Sequence, residues 1–172
     1  MATAHAIRPQ GQVTTTTQVY RVYIRATPQA IWDAITKPEW TEKYGYGGRA
    51  DFDLRKGGHY QHFTSAEMRA HGAPEIAVDG EVIESDPPKR LVLSWRMAMD
   101  EATRAEGFTR LTYDIEPTPN GAKLTVTHDL ASAPKLFALV NGDLEKEGAG
   151  GGWAWILSDL KSLLETGKGL HG

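Results

Sequence analysis

Apolar residues recur at helical spacing most persistently near the end of the chain. Trp153, Ile156, Leu157, Leu160, Leu163 and Leu164 fall at i, i+3, i+4, i+7, i+10 and i+11, which gathers all six on one side of a helix over residues 152–167. On this wheel Asp159, Ser162 and Thr166 take the opposite side, and Lys161 and Glu165 form an i,i+4 pair. At 1.5 Å per residue the helix is about 24 Å long, enough to cross a small sheet. So one-sided a stripe must lie across something apolar. Trp155 falls about 140° from the stripe centre. There it is either shielded by residues 131–147 or available to a partner subunit, which leaves a homodimer open.

Elsewhere the dominant period is two. Residues 19–24, rich in β-branched and aromatic side chains, read as a first strand. Thr27 and Pro28 then start a helix over 28–36, as N-cap and first helical residue, with Ile31, Ala34 and Ile35 on one side. Pro38 ends it, and a second short helix covers 39–43. Strands follow over 50–54, 59–64, 76–85, 91–99, 108–116 and 123–130. Residues 65–74 and 100–107 read as polar loops between them, and Leu136, Phe137, Leu139 and Val140 as a short helical lid. Leu91, Leu93, Trp95, Met97 and Met99 share one parity, as do Leu111, Tyr113 and Ile115, and as do Leu124, Val126, His128 and Leu130. Each strand thus has an apolar and a polar face, as in a sheet solvated on one side. Strands clustered between helices make the fold class α+β, with a curved antiparallel sheet of about six or seven strands wrapped around the last helix. Residues 1–16 read as a flexible arm, 17–168 as a single domain and 169–172 as a tail.

Composition narrows the function classes. The chain has 172 residues, 40% hydrophobic and 24% charged, with a net charge of −3. Acids and bases are interspersed, so no basic footprint for nucleic acid is present. The lack of cysteine excludes disulfides, thiolate metal sites and a cysteine nucleophile. No apolar run approaches the roughly 18 residues of a membrane span, and the start lacks signal-peptide features, so a cytoplasmic protein is expected.

Three residues invite a chemical reading. His128 has core parity: it is either a core histidine with hydrogen-bonded partners or a ligand contact or general base. Tyr113, on the neighbouring strand, could join it in binding a carbonyl or hydroxyl. Glu84 shares the inward parity of Val78 and Val82, so it needs a partner such as Arg90 or Arg96, or else serves acid–base chemistry. His59 and His62, three apart on one strand, point to opposite faces and do not form a metal pair. No metal or cofactor is expected. The glycines at 148, 150, 151 and 152 follow a polar stretch and not a strand, which suits a flexible lead-in to the helix or a gate better than a phosphate loop. Trp32, Trp40, Tyr44, Phe63, Trp95, Tyr113, Phe137 and Trp153 are many large side chains for one core, which is either solid or hollow.

Several of these pieces, in order, resemble a known family. They are Pro38-Glu39-Trp40, then Gly57-Gly58-x-Tyr60. Next comes Gly80-x-Val82-x-Glu84-x-x-Pro87-Pro88-x-Arg90-Leu91-Val92-x-x-Trp95, followed by Gly121-x-Lys123-Leu124-Thr125-Val126-Thr127-His128. The last is Gly152-Trp153-x-x-x-Leu157-x-x-Leu160-x-x-x-Leu164-Glu165-x-Gly167. The pattern resembles the START/Bet v 1-like superfamily and, within it, the domain homologous to the C-terminal part of the activator of Hsp90 ATPase. The resemblance implies a helix-grip fold with a cavity for an apolar molecule between sheet and closing helix. Trp95, Met97, Tyr113 and Val126 would line it from the sheet, and His128, Trp153, Leu157 and Phe137 from around it. Some members of that superfamily are enzymes and others bind or carry apolar molecules. The helix stripe and the aromatic faces favour binding of a lipid, polyketide or aromatic molecule with no assigned catalysis. The alternatives are a cyclase or hydrolase using the same cavity, or a chaperone-interaction module.

Overall fold

The computed structural model describes residues 16–171, so the arm expected over 1–16 lies, but for Thr16, outside the described residues. The chain runs β1 (Thr17–Ile24), α1 (Pro28–Thr36), α2 (Pro38–Thr41), β2 (Ala50–Phe52), β3 (His59–Phe63), α3 (Ala66–Ala70) and β4 (Ile76–Asp86). It continues through β5 (Arg90–Met97), α4 (Glu101–Ala105), β6 (Thr109–Thr118), β7 (Gly121–Asp129), α5 (Pro134–Asn141), a 3-10 turn (Glu145–Glu147) and α6 (Gly152–Thr166). The strands form one antiparallel sheet in the order β1-β7-β6-β5-β4-β3-β2. Five neighbouring pairs are sequential hairpin partners, whereas β1 joins the last strand, β7. This is the expected α+β helix-grip arrangement: the sheet curls, open at β1 and β2, and α6 lies against its concave side.

Local signals explain the elements that position the interior. The Thr27 side chain accepts from the Ala30 amide at 3.1 Å, and Pro28 follows as the first residue of α1. Ile31, Trp32, Ala34 and Ile35 of α1 are all buried. On β7 the alternation places Leu124, Val126 and His128 inside. In α6, Trp153, Leu157, Leu160 and Leu163 are buried, and Lys161 pairs with Glu165 at 2.7 Å.

Three expectations need correction. Residues 65–74 and 100–107 are not plain loops but carry α3 and α4. Each is a single turn held by its cap, with Ser65 accepting from the Met68 amide at 3.2 Å and Asp100 from Thr103 at 2.8 Å. Such short helices bury no stripe, so periodicity cannot report them.

Glu84 does not face the interior. The β4–β5 register slips between Val82 and Glu84, from Val82 opposite Leu93 to Glu84 opposite Val92. The extra residue, Ile83, turns everything after it to the other face. Glu84 is therefore exposed, 3.3 Å from Arg90, which also meets Asp114 at 2.7 Å.

Asp159, assigned by the helical wheel to the solvent side, is 1% exposed. After Gly167 closes α6 in a left-handed C-cap, the chain folds back along this side of the helix. Asp159 accepts from the Leu170 amide at 2.6 Å and from the Gly45 amide at 2.8 Å. One carboxylate thus ties the end of the chain to the loop after α2. Beside it Trp155 packs between Tyr46, at 5.6 Å between ring centroids, and His171, at 5.2 Å. Asp159→Ala leaves both amides without their acceptor and is expected to lower unfolding stability by about 3 kcal/mol, since hydrogen bonds to a buried charge are among the stronger ones. Denaturant titration measures this, with faster amide exchange at Leu170 as the local signature. Asp159→Asn, which retains one acceptor oxygen, should lose about half as much.

Candidate functional site

The concave face of the sheet and the first turns of α6 do not close on each other. Between them lies a cavity of about 450 Å³. Val78 of β4, Trp95 and Met97 of β5, and Tyr113 of β6 form its floor, with Tyr60 of β3 beside them. Ile35 and Tyr44 close one side, and Trp153 and Ile156 of α6 form the roof. The volume falls in the range of about 300–1,000 Å³ usual for small-molecule sites. Three segments reach its rim: Leu139 and Val140 of the expected lid, on α5, Asp100 ahead of α4, and Gly148 to Gly150 of the glycine run.

Trp95, Met97, Tyr113 and Trp153, four of the expected ligand contacts, line this cavity. Val126 and Leu157 belong to the solid core next to it, and Phe137 packs on that core from α5. Sequence reasoning missed Tyr60, Ile156 and Met68. Tyr60 was findable, because alternation along β3 places it with His62 and opposite to exposed His59. It stacks on Phe52 at 4.5 Å.

His128 has a different place. It is 0% exposed and lies behind Trp153, whose indole Nε1–H donates to His128 Nδ1 at 3.1 Å. An indole can only donate, so Nδ1 accepts and Nε2 carries the proton. Nε2–H then donates to Thr109 Oγ1 at 2.8 Å, and the Thr109 hydroxyl donates to Trp95 O at 2.8 Å. The relay joins α6 to β7, β6 and β5, and it uses both imidazole nitrogens. Burial pushes the His128 pKa down to about 4, against a smaller opposing effect of Asp129. A neutral ring is the state the relay requires.

Tyr113 and His128 both meet the Trp153 ring, at 6.2 Å and 6.0 Å between centroids, but only Tyr113 reaches the cavity. Glu84 is outside. The three groups considered for catalysis therefore occupy three separate places and share no void.

Most polar groups of the wall are already paired. Tyr44 Oη donates to Ala34 O at 2.9 Å, Thr41 Oγ1 to Pro38 O at 3.3 Å, and Thr64 Oγ1 to Pro74 O at 2.6 Å. His62 Nε2 lies 2.8 Å from Gly48 O, and burial holds its pKa below the usual histidine value. Asp100 faces the rim and caps α4. No lysine or arginine among the described residues lines the cavity.

Comparison with known proteins agrees with this architecture. Residues 25–165 match the family described as Activator of Hsp90 ATPase homolog 1-like protein. Among solved structures, a protein of Mesorhizobium loti is 26% identical, with 86% of this chain and 96% of that one covered and a TM-score of 0.61. The Aha1 dimer from Colwellia psychrerythraea shares the fold at 21% identity, with 89% and 98% coverage and a TM-score of 0.64. CalU16 from Micromonospora echinospora does so at 18% identity, with 77% and 70% coverage and a TM-score of 0.53. Comparison with curated protein sequences gave no match. With the family matched along most of its length and the helix-grip fold in place around a central cavity, this chain belongs to the activator of Hsp90 ATPase homolog 1-like family.

Proposed function

We propose that this protein binds an apolar small molecule, of lipid, polyketide or aromatic type, between the sheet and α6, and that it does so without chemistry of its own. The observation carrying this reading is the 450 Å³ cavity walled by Tyr60, Trp95, Met97, Tyr113 and Trp153. A void of that size beneath a long helix sacrifices packing contacts that a solid core would make. A bound apolar guest restores them. Catalysis is not invoked, because His128 has no free nitrogen and Glu84 faces solvent.

The test uses N-phenyl-1-naphthylamine, a neutral dye that brightens in apolar surroundings. It should bind with a blue-shifted emission and quench the tryptophans, since Trp95 and Trp153 form two of the walls. Met97→Trp fills the void from the floor and should weaken binding about tenfold or more, the equivalent of roughly 1.4 kcal/mol. Equal affinity in wild type and Met97→Trp would sink the reading.

Family membership favours a second reading, in which an outer surface engages a chaperone ATPase. Stimulation of such an ATPase by this protein, undiminished in Met97→Trp, is the result that would distinguish it.

A further inference from the structure

Tyr113 is the exception among the polar groups of the cavity wall. Its side chain is walled in by Trp153 and the sheet, and its remaining accessible surface opens into the void. No described residue hydrogen-bonds its hydroxyl, although every fully buried side-chain polar atom among the described residues has a partner. Tyr44 has given its proton to Ala34 O, Thr41 and Thr64 have given theirs to backbone carbonyls, and the Tyr60 hydroxyl lies beside the Trp95 indole. The Tyr46 hydroxyl rests against the backbone of Gly150 and Gly152. Tyr113 is thus the one wall hydroxyl among the described residues with no hydrogen-bonding neighbour, and it faces an apolar space.

The charges around the cavity are as informative. No cation of the described residues lines it, His62 is held neutral by burial, and the one charged side chain at the rim is the carboxylate of Asp100. Burial also raises the pKa values of Tyr44, Tyr60 and Tyr113. Tyr60 adds to the rise at Tyr44, both add to the rise at Tyr113, and the Trp95 contact only partly offsets the rise at Tyr60. The three phenols therefore stay protonated. A carboxylate or phosphate buried here would find no counter-charge, and an unpaired buried anion is strongly disfavoured.

We infer that the cavity selects a neutral ligand whose single polar end is a hydrogen-bond acceptor, a ketone, ester or similar carbonyl oxygen, and that the Tyr113 hydroxyl donates to it. This rests on the cavity reading above and adds a specificity to it. Fatty-acid carboxylates and other anions are excluded. A pure hydrocarbon is accepted but leaves the Tyr113 donor unpaired.

Three probes of one size and skeleton separate these cases: 2-ethylnaphthalene, 2-acetylnaphthalene and 2-naphthoate, each titrated by tryptophan quenching and calorimetry at neutral pH. The ketone should bind about fivefold more tightly than the hydrocarbon, the value of one net hydrogen bond. The carboxylate should bind about a hundredfold more weakly than the ketone. Tyr113→Phe conserves volume and removes a hydroxyl without a protein partner, so the fold is kept, and unchanged near-ultraviolet circular dichroism verifies this. In this variant the ketone should lose its advantage while hydrocarbon affinity stays the same. The carbonyl stretch of bound 2-acetylnaphthalene should lie at lower frequency in wild type than in Tyr113→Phe.

A naphthoate affinity matching that of the ketone overturns the inference, as does a ketone preference that survives Tyr113→Phe. Hydrocarbon binding without any ketone preference overturns it too, while leaving the cavity reading intact. Failure of all three probes to bind overturns both.

Discussion

His128→Leu is expected to destabilise the protein by about 3–4 kcal/mol, because it strips two buried groups of their partner at once. The Trp153 indole N–H loses its acceptor, and Thr109 Oγ1 loses the donor from Nε2. Leucine refills most of the volume, so the loss reports the polar relay more than a void. Adding Trp153→Phe to His128→Leu should cost less than the two single effects summed, by about 1–2 kcal/mol, because the orphaned N–H then disappears with its ring. Denaturant unfolding of the four proteins closes this cycle. Strict additivity would mean that the Trp153–His128 bond contributes nothing to holding α6 on the sheet.

The same residue sets a pH dependence of known sign. Its folded pKa, about 4, lies below the ordinary 6.5. The unfolded chain therefore takes up the proton first as pH falls, and stability is lost between about 6.5 and about 4. The gap corresponds to about 3 kcal/mol in total. Below the folded pKa both states are protonated and the slope vanishes. Protonated Nδ1 would also meet the Trp153 N–H donor to donor, which breaks the relay. The difference in unfolding free energy between wild type and His128→Leu should narrow across this window, while carboxylate titrations common to both cancel.

Much of this architecture was legible in the chain because it is periodic. The α6 stripe and the alternation of β6 and β7 each repeat over several residues, and the Thr27-Pro28 helix start is a purely local cap signal, so local patterning fixes both element and face. The failures share a physical cause, since each depends on something pattern cannot carry. Parity along β4 was read correctly up to Val82, and one inserted residue then turned Glu84 outward. The wheel of α6 showed that Asp159 lies away from the stripe, but not that residues 167–171 fold back over it. The partners of His128 are Thr109 and Trp153, 19 and 25 residues away, and no local spacing announces either. Whether the aromatic interior was solid or hollow could not follow from composition. The volume is set by sheet curvature and by the height at which α6 rides above it. That height is fixed at the first residue of the helix, where the glycine run ends.

Gly152→Ala tests that fixing directly and should be among the most damaging single substitutions, at about 4 kcal/mol or more. Gly152 has a φ of +67°, a left-handed conformation that costs an alanine about 1 kcal/mol or more. Contact is the larger obstacle. A Cβ at this position would lie 2.1 Å from Val140 O and 2.6 Å from its carbonyl carbon, at the end of α5. Both obstructing atoms are backbone, so no rotamer change relieves them; α5 and α6 must separate. Val140 and Gly152 both line the cavity, so separation should also weaken N-phenyl-1-naphthylamine binding. Gly148→Ala is the matched control, with a φ of +87° but nothing within 4 Å of its added Cβ. It should lose only the conformational part, about 1 kcal/mol, and keep its affinity for the dye. For a chain of this length the contrast amounts to about 10 °C in melting temperature. Equal losses in the two variants would show that α5 and α6 can part freely. The glycines before α6 would then serve as a loose hinge, whereas the geometry of Gly152 makes it a close backbone contact between α5 and α6 at the cavity rim.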